Sequence, residues 1–441
     1  LLPDTMQLES LAFFVIIVSF ISATTVDLSF RKMTKEDFFI RIQKKIKLED
    51  VTDLNLRGNE IDSFIDCSTN LGALKILDLS QNRLQRIYFL CKQEINLQLL
   101  NVSHNKLEYI DDNALNHRIT KLKILDLSFN KLTVVNGTML QYLTVLEYLS
   151  LSCNPIGDGI HESAFWSLRA LKHLDLSNIS APYFLADFFT TLTNLSTLNL
   201  SWNPISAIPL LPINLQELDL SGTQVINFEN LYLPQLRELR LNHMPNLTSL
   251  ALNDLENLTS LETLSLIGSK RLVLLSLWSQ IGIVLPRLQR LSIKDCGLKT
   301  LNTELRPLIQ RTPVVELENN PWECDCNLEW IGLLNSTRNL IRDIRCHTPD
   351  RHHAKLLAEI LNYELQCEYT SVIYPILWTG LSILIVAMIV ATVLVLLRRP
   401  ISQWSFKGRN GDTVTYKNVV ESNNDLVRIL AVSETHERNE E

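Results

Sequence analysis

Four of the eight cysteines crowd into the last part of the array: Cys324, Cys326, Cys346 and Cys367, in and after the segment NPWECDCNLEWI. Two chemistries suit that crowding. The thiolates of Cys324, Cys326 and Cys346, with the imidazole of His347, make a donor set that zinc accepts. Disulfides are the alternative, and an exported chain favours them because oxidising compartments preserve them. Cys67 and Cys91 are separated by one period of the repeat described below, so stacking should bring them within bridging reach. Cys153 and Cys296 sit in non-equivalent positions of distant repeats and are expected to stay free, Cys296 in a buried site and Cys153 in a more exposed one.

No catalytic set emerges. The His352–His353 pair and the scattered Ser and Asp residues show no spacing that would join a nucleophile to its base or build a metal site. The two histidines read as exposed residues of a cap, and neither enzyme activity nor a cofactor is expected. Modification chemistry is better represented. Asn-x-Ser/Thr sequons occur at Asn101, Asn136, Asn178, Asn194, Asn199, Asn246, Asn257 and Asn335, acceptors for sugar in an exported chain. Near the end, VTYKNV sets Val414 and Val419 around Tyr416. It fits an inhibitory tyrosine motif, a Tyr-x-Asn adaptor site and a Tyr-x-x-apolar endocytic signal at once, and phosphate there would suit an Arg-lined pocket. Such short patterns also arise with no role.

What must position these residues is a pattern written LxxLxLxxNxL, clearest in LKILDLSFNKL from Leu122 to Leu132. Its leading position falls at Val51, Leu74, Leu97, Leu122, Leu146, Leu171, Leu195, Leu215, Leu236, Leu261, Leu288 and, degenerately, Thr312. The steps between these positions match the leucine-rich-repeat period, roughly 20–29 residues. The spacing predicts a short strand entered from a turn, with Leu125 and Leu127 to one side and Ile124, Asp126 and Ser128 to the other. One copy cannot bury its leucines, whereas stacked copies form a continuous core. The ninth position, Asn59, Asn82, Asn105, Asn130, Asn154, Asn203 and Asn320, offers a carboxamide to the unpaired backbone of the turns. Ile179, Thr223, Met244, Ser269 and Cys296 replace it. Ser and Thr keep part of that bonding, so irregular turns are expected near Ile179 and Met244.

The predicted fold is therefore an α/β solenoid, a horseshoe with a parallel concave sheet, closed by a disulfide cap and followed by one transmembrane helix. Residues 1–24 read as a signal peptide, with an apolar core from Leu11 to Ile21 too short to span a bilayer and cleavage near Ala23. No Lys or Arg lies between Met6 and that core, and the chain starts at Leu1, so Met6 is the expected initiator. Residues 25–50 form an N-terminal cap without cysteines, its edge covered by a strand and the Phe38–Ile42 segment. Repeats fill 51–320, the cysteine-rich cap 321–368 and a juxtamembrane stretch 369–375. Residues 376–397 carry no charge and match a bilayer core in length; Arg398 and Arg399 then mark the cytoplasmic side. The polar tail, 398–441, reads as disordered. A net charge of −7 and 46% hydrophobic residues argue against a disordered chain overall and against a nucleic-acid partner.

With the repeats, NPWxCxC and the apolar run together, the chain resembles the leucine-rich-repeat transmembrane receptors, the group that includes Toll-like receptors and adhesion repeat proteins, over roughly residues 50–400. The resemblance implies disulfides Cys324–Cys346 and Cys326–Cys367, and a Trp322 indole packed over the last repeat. A Toll-like receptor would continue into a signalling domain, which the tail does not resemble. The implied function is a cell-surface receptor or adhesion protein of the plasma membrane, single-pass with the array outside, binding an extracellular protein or glycan. A signalling co-receptor or decoy of innate-immune type, paired with a second leucine-rich-repeat receptor and acting through Tyr416, is the alternative. Candidate partner contacts are Asp78, Asp126, Asp175 and Asp219 with Phe129, Tyr148, His173 and Trp202, although Asp is also a common solvated residue at that strand position.

Overall fold

The computed structural model describes residues 25–38, 48–65, 71–89, 94–229, 231–277, 284–332, 334, 344–361, 370–397, 405–407 and 413–415. It separates into two units, Leu1–Leu365 and Gln366–Glu441.

The first unit is a solenoid around one 13-stranded parallel sheet whose strands follow chain order. Twelve of those strands start two residues after the twelve leading positions, from Asp53–Asn55 to Val314–Glu316. Each has only three residues because the Leu-x-Leu core of the repeat is all that the flanking turns leave extended. The register sets inward leucine against inward leucine, Leu77 on Leu100, Leu100 on Leu125, Leu125 on Leu149. A shift by one residue would turn every one of them to solvent. Leu122, Leu125, Leu127 and Leu132 have no accessible surface, and the core they begin is continuous along the array.

Stacking leaves turn backbone without partners, and the asparagines supply them. Asn130 donates from Nδ2 to the carbonyls of Val102 and Leu127, 3.0 Å each, while its Oδ1 accepts from Leu107 N at 3.0 Å. Asn82, Asn105, Asn154, Asn203 and Asn320 likewise join their own turn to the preceding one. The first of the series explains how an edge without cysteines is closed. Asn59 donates to Leu28 O and accepts from Arg31 N and Met33 N, tying down the segment after the thirteenth strand, Thr25–Asp27, which pairs with Asp53–Asn55. Phe38 is buried beneath this cap; Ile42 lies outside the described residues.

Of the two irregular turns expected, one is present. Ser180 adds a second left-handed residue beside Asn178, with φ of 63° and 52°, next to the ladder site that Ile179 occupies. At Met244 no such extra residue occurs; there Ser269 Oγ accepts from Met244 N at 3.1 Å and donates to Leu241 O at 3.0 Å, as Asn203 does with Ile179 N and Leu176 O.

The far edge is covered by Trp322, fully buried, its indole N–H donating to Leu317 O at 3.0 Å. Cys324 and Cys346 form a disulfide with Cα atoms 5.6 Å apart, so neither thiolate is available to zinc. Cys326 is also disulfide-bonded, whereas Cys67, Cys91 and Cys367 lie outside the described residues. One expectation for the cap fails: His353 is exposed, but His352 is 1% exposed, because the short Asp350–His352 turn points its ring into the cap.

In the second unit, Thr370–Leu397 is one helix of 28 residues, about 42 Å at 1.5 Å per residue. Its Leu377–Leu396 stretch is long and apolar enough to cross a membrane. Two short strands, Ser405–Lys407 and Thr413–Thr415, pair antiparallel within the predicted tail.

Candidate functional site, the outer face of the solenoid sheet

In each strand the middle residue points to the core and the two beside it to the other side, which creates two rows across the sheet, with only the serines Ser150, Ser265 and Ser292 buried in the second row. The row of third residues contains Asp78, Asp126, Asp175 and Asp219. Each carboxylate accepts from the backbone N–H two residues on, that of Ser80, Ser128, Ser177 or Ser221, at 2.8 to 2.9 Å. One oxygen of every acid thus turns the chain at the strand's end, and in Asp78, Asp126 and Asp175 the other is left for solvent or a partner. Asn101 and Asn199 occupy the same row and make the same turn with Ser103 N and Ser201 N, 3.0 Å each. The sequons inside strands therefore follow from the repeat itself, since Asn in place of Asp two residues before Ser writes Asn-x-Ser.

The row of first residues is apolar over four neighbouring strands. Ile76 and Ile124 are 40% and 38% exposed, Leu99 and Tyr148 are half-buried, and the register links them in order. His173 follows, its ring 6.3 Å from that of Tyr148. Burial, then Asp126 and Asp175 on either side, push the Tyr148 phenol above its ordinary value. Of the predicted contacts, the structure therefore gathers Asp126, Tyr148, His173 and Asp175 on adjacent strands.

Phe129 and Trp202 belong to a third row that sequence reasoning missed. The residue just before the ladder position is left-handed in all twelve repeats, with φ between 52° and 73°. Non-glycine residues pay for that conformation with about 1–2 kcal/mol, yet Gln81, His104, Phe129, Cys153, Trp202 and His243 adopt it. The rings of His104, Phe129, Trp202 and His243 pair along this row. His104 stacks on Phe129 with centroids 4.2 Å apart, and Trp202 stacks with His243 at 5.8 Å across Gly222, where a Cβ would fall 2.6 Å from the indole. The signal was available: Gly58, Gly222, Gly268, Asn178, Asp295 and Asn319 share the position.

Charge is arranged differently in the two halves of the face. Glu147 bridges Lys123 at 3.5 Å and Lys172 at 2.7 Å, and Lys172 first, then Lys123, holds its carboxyl below the usual range. Further along, Arg240 meets Glu238 at 2.7 Å and Asp219 at 3.9 Å, and Glu316 meets Lys294 and Arg290 at 3.3 and 3.8 Å. Asp78, Asp126 and Asp175 have no ion pair among the described residues.

The remaining sequons are scattered. Asn136 caps the Gly137–Leu140 turn through Met139 N. Asn178, Asn194 and Asn246 are exposed and Asn257 is half-buried, while Asn335 lies outside the described residues. Val414 lies in a tail strand; Tyr416 and Val419 lie outside the described residues. Among the described residues no group of three His, Cys, Asp or Glu could hold a metal.

Leucine-rich-repeat family profiles match residues 120–180 and 191–207. Tsukushi of Gallus gallus is 33% identical over 229 residues, 49% of this chain and 60% of that protein. CD180 antigen of Mus musculus is 26% identical over 367 residues, 78% of this chain but 46% of its own. The chain thus spans less than two thirds of either relative. Among solved structures, a TLR13–ssRNA13 complex superposes with a TM-score of 0.52 at 22% identity, over 76% of this chain and 56% of that one, which shows the shared fold. The repeats and their asparagine ladder show a leucine-rich-repeat solenoid, and the chain is similar to leucine-rich-repeat proteins that include Tsukushi and CD180 antigen.

Proposed function

We propose that the chain is a single-pass plasma-membrane receptor or adhesion protein whose extracellular solenoid binds a protein partner on the outer face of its sheet. The observation that carries this reading is the line of exposed aliphatic residues on that face, Ile76 and Ile124 above all; on a solvated sheet, aliphatics in register form a patch rather than a scatter. The apolar helix supports the anchor, and relatives of receptor type support the class. Within the same proposal, Cys326 pairs with Cys367 and Cys67 with Cys91, the exposed sequons carry sugar, and Tyr416 sits in the cytoplasm. The test is proximity labelling on intact cells, comparing the full chain with one ending after Arg399. Shared extracellular partners are expected from both. Labelling confined to the cytoplasmic side would overturn the topology, and loss of specific intracellular partners on Tyr416→Phe would establish the signalling role.

A further inference from the structure

Three features of the outer face are not required by the repeat. The first-row position tolerates almost anything, since Asp53, Thr197, Glu217, Glu238, Thr263 and Arg290 occupy it in other strands. An aliphatic or aromatic residue on four successive strands, spanning about 14 Å at 4.8 Å per strand, is therefore not a demand of the fold. Nor is the charge of Asp78, Asp126 and Asp175. Asn55 accepts from Arg57 N and Ser150 from Ser152 N in the same turn, so an uncharged residue serves there. Finally, on the other side of the apolar line Glu147 bridges Lys123 and Lys172 and leaves the exposed Lys75 unbridged, whereas these three carboxylates face no cation among the described residues. Asp126 and Asp175 flank the Tyr148 phenol and, after burial, add to the push above its ordinary value.

We infer that the N-terminal half of this face, from the strand at Ile76 to the strand at His173, takes a polypeptide segment that is basic along one edge and apolar at its centre. This rests on the protein-binding reading above and names the partner's chemistry. The three acids sit on alternate strands, about 10 Å apart, which is close to one turn of polyproline II chain, three residues at about 3.1 Å each with every third side chain on one face. A Lys or Arg at every third position of such a segment would meet them in turn, with its apolar neighbours laid on Ile76, Leu99, Ile124 and Tyr148. Phosphate or sulfate would be repelled there, and a neutral glycan brings no cation.

Peptide phage display on the full chain in lipid nanodiscs tests this. Selected peptides should combine Lys or Arg with Leu, Phe or Tyr, and should bind at least tenfold more weakly to Asp78→Ser/Asp126→Ser/Asp175→Ser. Ser is chosen because Asn at these positions would write new sequons with Ser80, Ser128 and Ser177. Ile76→Thr/Ile124→Thr should lose a similar factor, and Glu217→Gln, in the first row of the other half, should lose nothing. Peptides that bind the triple Ser variant as well as the parent overturn the inference and leave protein binding standing. Failure to recover any peptide that depends on the solenoid counts against both. Glycopeptide mapping gives a second test: Asn101 lies between Asp78 and Asp126, so it should be bare, and sugar found on it would overturn the inference.

Discussion

The five repeats led by Val51 to Leu146 and those led by Leu215 to Thr312 solve the same stacking problem with different chemistry. In the first group every ladder site is Asn, each joined to its neighbour turn by donation and acceptance. In the second group the sites are Thr223, Met244, Ser269, Cys296 and Asn320. Thr223 donates once to Leu220 O, and Cys296 donates from Sγ to Leu266 O. The outer face changes at the same place, from third-row acids without ion pairs beside an apolar line to third-row acids paired across strands. Those pairs do not make up for the weaker ladder. Exposed pairs contribute about 0–1 kcal/mol each, whereas a buried polar group that loses its partner costs about 1–3 kcal/mol. The comparison therefore separates two roles: the ladder holds the stack, and the face charges decide what the surface will accept.

The largest effect that would break this comparison is at the ladder. Asn130→Ala removes the amide's donations and its acceptance and leaves Leu107 N without its partner, so urea unfolding should show a loss of about 2–3 kcal/mol. Ser269→Ala removes one donation and one acceptance and should lose about 1–2 kcal/mol. Equal losses at both sites, or none at Asn130, would mean that the amides do not hold the first repeats together.

How much of this was legible beforehand depended on whether a residue's role was local. The twelve strands followed from leucine spacing alone, because the period is set by burial. The ladder substitutes were legible too, although the regular turn at Met244 was not. The turn acids illustrate a different limit. Asp126 read as a partner contact from its outward direction, and its bond to Ser128 N was hidden until the backbone was in place. His352 was misread because polarity predicts exposure poorly in a cap, where the chain doubles back on itself.

A smaller contrast lies in the two thiols. Cys296 is buried in the ladder, and that burial pushes it up to about 11 from an ordinary 9.0. Cys153 sits half-exposed in the left-handed row. Since only thiolate reacts, and a rise of that size reduces it about a hundredfold at neutral pH, iodoacetamide on the folded chain should modify Cys153 and spare Cys296. Reaction at Cys296 should appear only as pH rises toward 11 or as the chain unfolds. Equal labelling of the two at neutral pH would show the second group of repeats opening locally, so its weaker ladder would already be dynamic.

The smallest stability effect should come from Arg240, and it sharpens the comparison most. Its guanidinium pairs with both Glu238 and Asp219, so Arg240→Ser should leave both acids without an ion pair, as Asp78, Asp126 and Asp175 are in the first half. The pair members are partly exposed, so unfolding free energy should move by less than about 1 kcal/mol. Peptides that dock on Asp78, Asp126 and Asp175 should then show an added weak, salt-sensitive binding phase on the variant, because exposed charges act over about 8–10 Å at physiological salt. That phase should stay weaker than the first, since Glu217, Glu238 and Thr263 stand where the first half has Ile76, Leu99 and Ile124. A loss as large as that expected for Asn130→Ala would instead mean that Arg240 holds the strands together, and the division between a ladder that stabilises and a face that selects would not survive.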